Sequence, residues 1–456
     1  AAGAPADREA SFNLKSGVTV YGGFAGGELS RNDRNWRTNA TILSGSVPGQ
    51  SDERFWHQHV VTFVDAGPTT VLDGFTIRDG RALADCGMGA GIHSANSSPQ
   101  LANLLVTGNQ ASCDGGGLYA TGGSLTLANV TIDANSSERY GGGVYAVDTT
   151  LRLVNAVVKR NSMAAAGGGI YAHRTSLQVL NATVAYNYAT TGSELGWGLA
   201  LGYASSAVIR NSIFVGNGAS AEAEVYAPYE HTVTLSYGMT AGGCPPRAAC
   251  DHAVTGVPQW VQPPADLRLA SGSPGVDAGN NAYVPPDEMD VDGDGDTAEP
   301  VPVDPNGAPR FFDDPVADTG SGTPPIVDLG AFETAPIPAS VTLADLGQTY
   351  DGQPRPVAVT TQPAGLAVSV TYDGAVEPPA AAGSYAVVAV ISDPGYSGSA
   401  YSTLVIAPKA TSVSPTPAGK TYGDADPTLD GTLAGFVPED GVTAAYSRTP
   451  GENVGE

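Results

Sequence analysis

Through the first half of the chain apolar and polar residues alternate over short runs, as at Leu125, Leu127, Val130 and Ile132. An alternation of two is the periodicity of a strand, and Val, Ile and Thr are enriched in these runs. Glycine punctuates them. Gly115-Gly116-Gly117-Leu118-Tyr119, Gly141-Gly142-Gly143-Val144-Tyr145 and Gly167-Gly168-Gly169-Ile170-Tyr171 share one motif, with weaker copies at Gly89-Ala90-Gly91-Ile92-His93 and Gly196-Trp197-Gly198-Leu199-Ala200. The third position falls at 91, 117, 143, 169 and 198, in steps of 26, 26, 26 and 29. A second motif runs in phase. Its first asparagine is Asn103, Asn129, Asn155, Asn181 and Asn211; its second is Asn109, Asn135, Asn161, Asn187 and Asn217. Asp73-Gly74-Phe75-Thr76-Ile77 reads as an earlier, degenerate copy.

Each of three consecutive glycines would cost a helix about 1 kcal/mol, so the unit is read as strands and turns. A strand-only unit cannot bury its apolar face alone and must stack on the next copy. A leucine-rich horseshoe has a similar repeat length but needs a Leu-x-x-Leu-x-Leu strand that these units lack. A parallel β-helix fits: each unit makes one coil, and aliphatic residues stack inward. Asparagine at the corners adopts the left-handed conformation and bonds to its equivalent one coil on. Residues 11–235 would give about eight coils, at ~4.8 Å each.

The Gly-Gly-Gly-Ile-Tyr and Asn-x-x-apolar-x-x-Asn pattern resembles the repeats of bacterial right-handed parallel β-helix proteins. It is also similar to the repeats of chlamydial polymorphic outer-membrane proteins. Val20-Tyr21-Gly22-Gly23-Phe24 and Thr41-Ile42-Leu43-Ser44-Gly45 look like the first coils of that group. The resemblance covers about residues 11–335 and implies an all-β, right-handed parallel β-helix. It implies less about function, since the group includes adhesins, autotransporter passengers and polysaccharide-degrading enzymes.

After residue 235 the period fades. Asp266-Leu267-Arg268-Leu269, Ser273-Pro274-Gly275-Val276-Asp277-Ala278-Gly279 and Val327-Asp328-Leu329-Gly330-Ala331-Phe332-Glu333 resemble the terminal segment of secreted β-helix proteins. Such a segment is expected to cover the strand edge of the last open coil. Thr334-Ala335-Pro336-Ile337-Pro338-Ala339 reads as a linker. Beyond it, Thr349-Tyr350-Asp351-Gly352-Gln353-Pro354 and Lys420-Thr421-Tyr422-Gly423-Asp424 mark two units that look like MBG modules, which are β-sandwich-like and act as stalks. The expected organisation is a β-helix over 1–235, terminal coils and a cap with an acidic loop over 236–335, an MBG-like module over 336–408, and a partial second over 409–456.

Composition narrows the function. With 59 Gly and 34 Pro, a helical bundle or a doubly wound α/β enzyme is excluded. A net charge of −25 argues against nucleic acid and anionic membrane, but not against sugars or divalent cations. No apolar run approaches the ~18 residues of a membrane span. The chain opens Ala1-Ala2-Gly3-Ala4-Pro5, without Met or a signal sequence, and is read as a segment of something longer.

Four groups of residues are candidates for chemistry. Cys86 and Cys113 lie 27 apart, almost one coil, and Cys244 and Cys250 bracket a short loop. Of three pairings, 86–113 and 244–250 suit disulfide distances, and free thiols are the alternative. Disulfides fit an extracellular compartment. Asp290, Asp292, Asp294 and Asp296, with glycine between, match the first half of a calcium loop. The acid expected at the twelfth position is missing, because Val301 stands there, so Glu299 or Asp304 would substitute. The loop is read as a structural Ca²⁺ site, with a solvated acidic loop as the alternative. His93, Tyr119, Tyr145 and Tyr171 share one register, and alternation points their rings outward. They either stack on sugar rings or stack on one another and stiffen the rod.

Fourth, the coils carry Asp133, Glu138, Arg139, Asp148, Arg152, Lys159, Arg160, His173, Arg174 and Glu194, among which Asp133 and Lys159 are the nearest cross-coil pair. No catalytic signature emerges from them. The reading is a non-catalytic protein, extracellular or on the bacterial cell surface, that recognises a polysaccharide or a host or cell-surface glycan. The alternatives are a polysaccharide lyase or glycoside hydrolase on the β-helix, and a purely structural surface-layer or passenger element.

Overall fold

The structure is a computed structural model that describes residues 8–49, 51–53, 56–191, 196–218, 220–228, 231–314, 316–334, 336–393 and 396–451. Glu194 lies outside them. The chain forms two compact units, Ala1–Ala335 and Pro336–Glu456.

The first unit is a parallel β-solenoid. One column of strands runs Phe12–Leu14, Val61–Val64, Ile92–Ser97, Leu118–Ala128, Val144–Val147, Ile170–His173, Leu199–Leu201 and Val225–Tyr226, each parallel to the next. A second column includes Gln100–Ala102, the latter half of Leu118–Ala128, Thr150–Val154, Ser176–Leu180, Ser206–Phe214, Thr232–Thr240 and Ala248–Val254. A third includes Leu105–Thr107, Thr131–Asp133, Val157–Lys159 and Thr183–Ala185. Register follows the repeat, with Leu118 opposite Val144 and Val144 opposite Ile170. Leu118, Leu125, Leu127, Val130 and Ile132 are fully buried, so the inner stack follows the alternation in the sequence.

Asparagine turns the corner between the second and third columns. Asn103, Asn129, Asn155, Asn181 and Asn211 have φ of 52, 54, 48, 49 and 47°, a conformation asparagine tolerates better than other side chains. The second asparagine series makes a tighter ladder. Asn135 Nδ2 donates to Asn161 Oδ1 at 3.0 Å and Asn161 Nδ2 to Asn187 Oδ1 at 2.9 Å; the same oxygens accept the backbone N–H of Asn135 and Asn161, each at 3.0 Å. Glu224 terminates the ladder, accepting from Asn217 Nδ2 at 2.6 Å. Burial pushes its carboxyl up to about 7.

The glycine triplets bring neighbouring coils into close approach. A Cβ on Gly143 would lie 2.6 Å from the carbonyl oxygen of Gly169 and 3.0 Å from the Asn161 side chain. Gly143→Ala is therefore expected to destabilise the solenoid by about 1–3 kcal/mol, read as a lower urea midpoint, because backbone oxygen cannot rotate away.

Residues 256–334 depart from expectation. The sequence places a cap over the last open coil, whereas the structure lays this segment back along the flank. Leu267 and Ala331 pack with Val157 and Ala185. Val284, Val291, Val301 and Val327 cover the outward-facing Ala128, Val154 and Leu180. Its far end reaches the first coil, where Arg31 pairs with Asp290 and Arg37 Nε donates to Pro305 O at 3.3 Å. The corner asparagines receive it: Asn103, Asn155 and Asn211 donate to the carbonyls of Val291, Val303 and Asn280 at 3.2, 2.8 and 2.9 Å. The apolar corner and its spare amide donors give this flank more to bury than the coil end does. That end is instead closed by Ala248–Val254, half to fully exposed, with the Cys244–Cys250 disulfide beside it.

In the second unit, Gly347–Thr349, Ser399–Ala407, Gly383–Ile391 and Val368–Tyr372 form one sheet, and Ser340–Ala344 pairs with Ala358–Gln362. Val357, Tyr372, Val387, Leu404 and Ile406 make its core. Ser412–Pro415 pairs antiparallel with Gly431–Ala434.

Candidate functional site

In-register pairing brings the four aromatic candidates together. Tyr119 lies opposite His93 on one side and Tyr145 on the other, and Tyr145 opposite Tyr171. Ring centroids are 5.3 Å apart for His93–Tyr119, 5.5 Å for Tyr119–Tyr145 and 5.3 Å for Tyr145–Tyr171, with planes within 3–19° of parallel. His59 extends the stack at one end, and Tyr140 leans on Tyr171 from outside at 4.5 Å. The column stops at Ala200, which faces Tyr171 across the next strand. The rings are half-buried, and their faces are occupied by one another. Because the faces are stacked, the exposed part of each ring is left to its edge, one ring per coil.

The electrostatics beside the column are settled by ion pairs. Arg174 makes a bidentate pair with Asp148, both bonds 2.5 Å, and this holds the Asp148 carboxyl below its usual range. Arg139 sits 3.8 Å from Asp114 and within 3.6 Å of the sulfurs of Cys86 and Cys113, which form a disulfide across adjacent coils. Burial, then His59, depresses His93 to about 4, so it is neutral at physiological pH. Burial, then Asp114, raises the Tyr145 phenol.

The cross-coil pair Asp133 and Lys159 does not form a working couple. Asp133 is held by Arg160 at 2.8 and 2.5 Å, while Lys159 Nζ donates to the carbonyls of Pro264 and Ala265 at 3.1 and 3.0 Å. The backbone register places them opposite each other, but the returning flank segment takes the lysine.

In the acidic loop, carboxylate oxygens of Asp290, Asp292 and Asp294 converge within 4.8 Å, and Asp292 is shared with a second trio, Asp287 and Glu299. Asp296 joins neither; it accepts the Ala298 N–H at 2.9 Å. Asp290 accepts from Gly295 N–H at 2.9 Å, the turn its glycine permits. Asp304 lies elsewhere, fully buried and bonded to the N–H groups of Asn306 and Ala308. Val301 at the twelfth position is core. Sequence reading missed Asp287, which lies before the Asp-x-Asp run; burial pushes it up to about 6. The oxygen-only donors suit a hard divalent cation, although Arg31 already neutralises Asp290.

Residues 339–411 match the MBG domain family, residues 412–456 the MBG domain of YGX type, and residues 103–121 the Chlamydia polymorphic membrane protein repeat. The chain is a β-helix repeat protein with MBG modules. No curated protein and no solved structure matches it. The repeat and the modules fit a non-catalytic bacterial surface or outer-membrane-associated protein. Among the described residues no helix is long and apolar enough to cross a membrane.

Proposed function

We propose that this β-helix protein recognises a polysaccharide or cell-surface glycan along its aromatic column, with the MBG modules as a stalk. The observation that carries this is the continuous stack His93–Tyr119–Tyr145–Tyr171, flanked by Arg174–Asp148 and Arg139–Asp114. With the ring faces covered, recognition runs through edges, hydroxyls and the flanking charges. An extended glycan laid along the rod meets equivalent groups at each coil, at a spacing of ~4.8 Å. Ca²⁺ in the 290–299 loop has a structural role in this reading, fixing the flank segment at the first coil.

Tyr145→Ala in the full chain is expected to keep the fold and weaken glycan binding at least about tenfold, or ~1.4 kcal/mol. The check is a glycan array followed by titration with the best ligand, in calcium and in chelator. Unchanged affinity removes the column from the proposal. Release of reducing or unsaturated ends from a polysaccharide panel overturns the non-catalytic reading. One observation favours a purely structural role: the rings already spend their faces on each other. Silence in both assays would select it.

A further inference from the structure

A second carboxylate cluster lies apart from the 290–299 loop. Asp277, Asp313 and Asp318 each bring one carboxylate oxygen within 4.8 Å of the others. They come from two segments that the backbone pins together. Asp277 sits in a left-handed turn at φ 49°, and its carbonyl accepts the N–H groups of Thr319 and Gly320, both at 2.9 Å. Its own N–H donates to Asp328 Oδ1 at 2.8 Å.

The side chain is the anomaly. Asp277 is 0% exposed, yet neither carboxylate oxygen has a hydrogen-bond partner among the described residues. Asp313 and Asp318 are exposed and face it from the solvent side. The charges that act on it most strongly, those of Asp328, Asp318, Asp314 and Asp313, are all negative. A buried carboxylate with no donor, ringed by like charges, is costly unless it takes up a proton or a cation accepts its lone pairs.

We propose that Asp277, Asp313 and Asp318 form a Ca²⁺ site that ties the two segments together at the turn. All the donors are carboxylate oxygens, and among the described residues no histidine or cysteine joins the cluster. Calcium takes six to eight oxygen ligands in a tolerant geometry, so three carboxylates on an open side leave room for water and backbone carbonyls. Affinity on the order of 10⁻⁴–10⁻³ M is expected, as in extracellular modules. The site is independent of both the glycan reading and the Asp290 loop.

The test uses the full chain carrying Asp292→Asn and Asp294→Asn, which silences the loop. Calorimetric titration with CaCl₂ is expected to show one remaining site, with a Tm about 2–4 °C higher in millimolar calcium than in chelator. Adding Asp313→Asn and Asp318→Asn, both at exposed positions, is expected to weaken binding about tenfold or more and to remove the shift. The Tm in chelator should not fall, because the two changes also remove like charges facing Asp277. Asp277→Asn should abolish binding while melting no lower than its parent in chelator, since the carboxylate it replaces has no partner. Absence of calcium binding in the loop-silenced chain overturns the proposal. So does undiminished affinity after the Asp313 and Asp318 changes.

Discussion

Asn161→Ala is expected to lower the stability of the solenoid by about 3–5 kcal/mol, well beyond an ordinary point substitution. The side chain is fully buried and serves three coils. Its Nδ2 donates to Asn187 Oδ1 and to Ile132 O, both at 2.9 Å. Its Oδ1 accepts Asn135 N–H and Asn135 Nδ2, both at 3.0 Å. Alanine leaves the Ile132 carbonyl and the Asn135 donors without these partners in a site closed to water. Each stranded group costs about 1–3 kcal/mol. Urea melts followed by circular dichroism would measure the loss, with Thr126→Ala on the outward side of a strand as a control near zero. A loss below about 1 kcal/mol would mean the ladder follows the fold rather than stabilising it.

Arg310→Leu should be of similar size, about 3–5 kcal/mol, for an electrostatic reason. Arg310 is fully buried; its Nε lies 3.2 Å from Glu333 Oε1, and its Nη2 donates to the Gly330 carbonyl at 2.8 Å. Glu333, Asp328 and Asp304 are buried around it, so the guanidinium is outnumbered even before it is removed. Burial raises the Glu333 carboxyl well above its usual range, as it raises Glu224 to about 7. At a pH between the unfolded and the folded values, these acids hold protons in the folded chain that the unfolded chain has released. Their contribution is therefore fully present below the unfolded carboxylate range and is lost as pH rises through the folded values. In chelator the protein should be more stable at pH 5 than at pH 7.5, and Arg310→Leu should steepen that fall. A profile that is flat or rises across this interval would refute the assignment.

Much of the solenoid is legible in the chain. Equivalent positions 26 apart must stack, so Leu118 on Val144 on Ile170, and Tyr119 on Tyr145 on Tyr171, follow once the unit is read as strands. The two asparagine series follow too, because corner conformation and side-chain amide bonding are local properties. The acidic loop was visible as a motif because its carboxylates are close in sequence.

Other features have no local signature. The repeat places the tyrosines in one register, but their mutual stacking, which closes the ring faces, depends on the coil separation. Asp133 and Lys159 stand opposite each other by register, yet carbonyls from residues 264 and 265 capture the lysine. The flank position of residues 256–334 arises from non-repeating contacts with Ala128, Val154, Leu180 and the corner amides. That position also brings Asp277 to Asp313 and Asp318, 36 and 41 residues away in a stretch with no period. By itself the sequence determined what repeats, since periodic side chains permit one in-register stack. Only the tertiary structure decided what packs across the repeats, because burial of a flank depends on distant surfaces meeting and leaves no period to read.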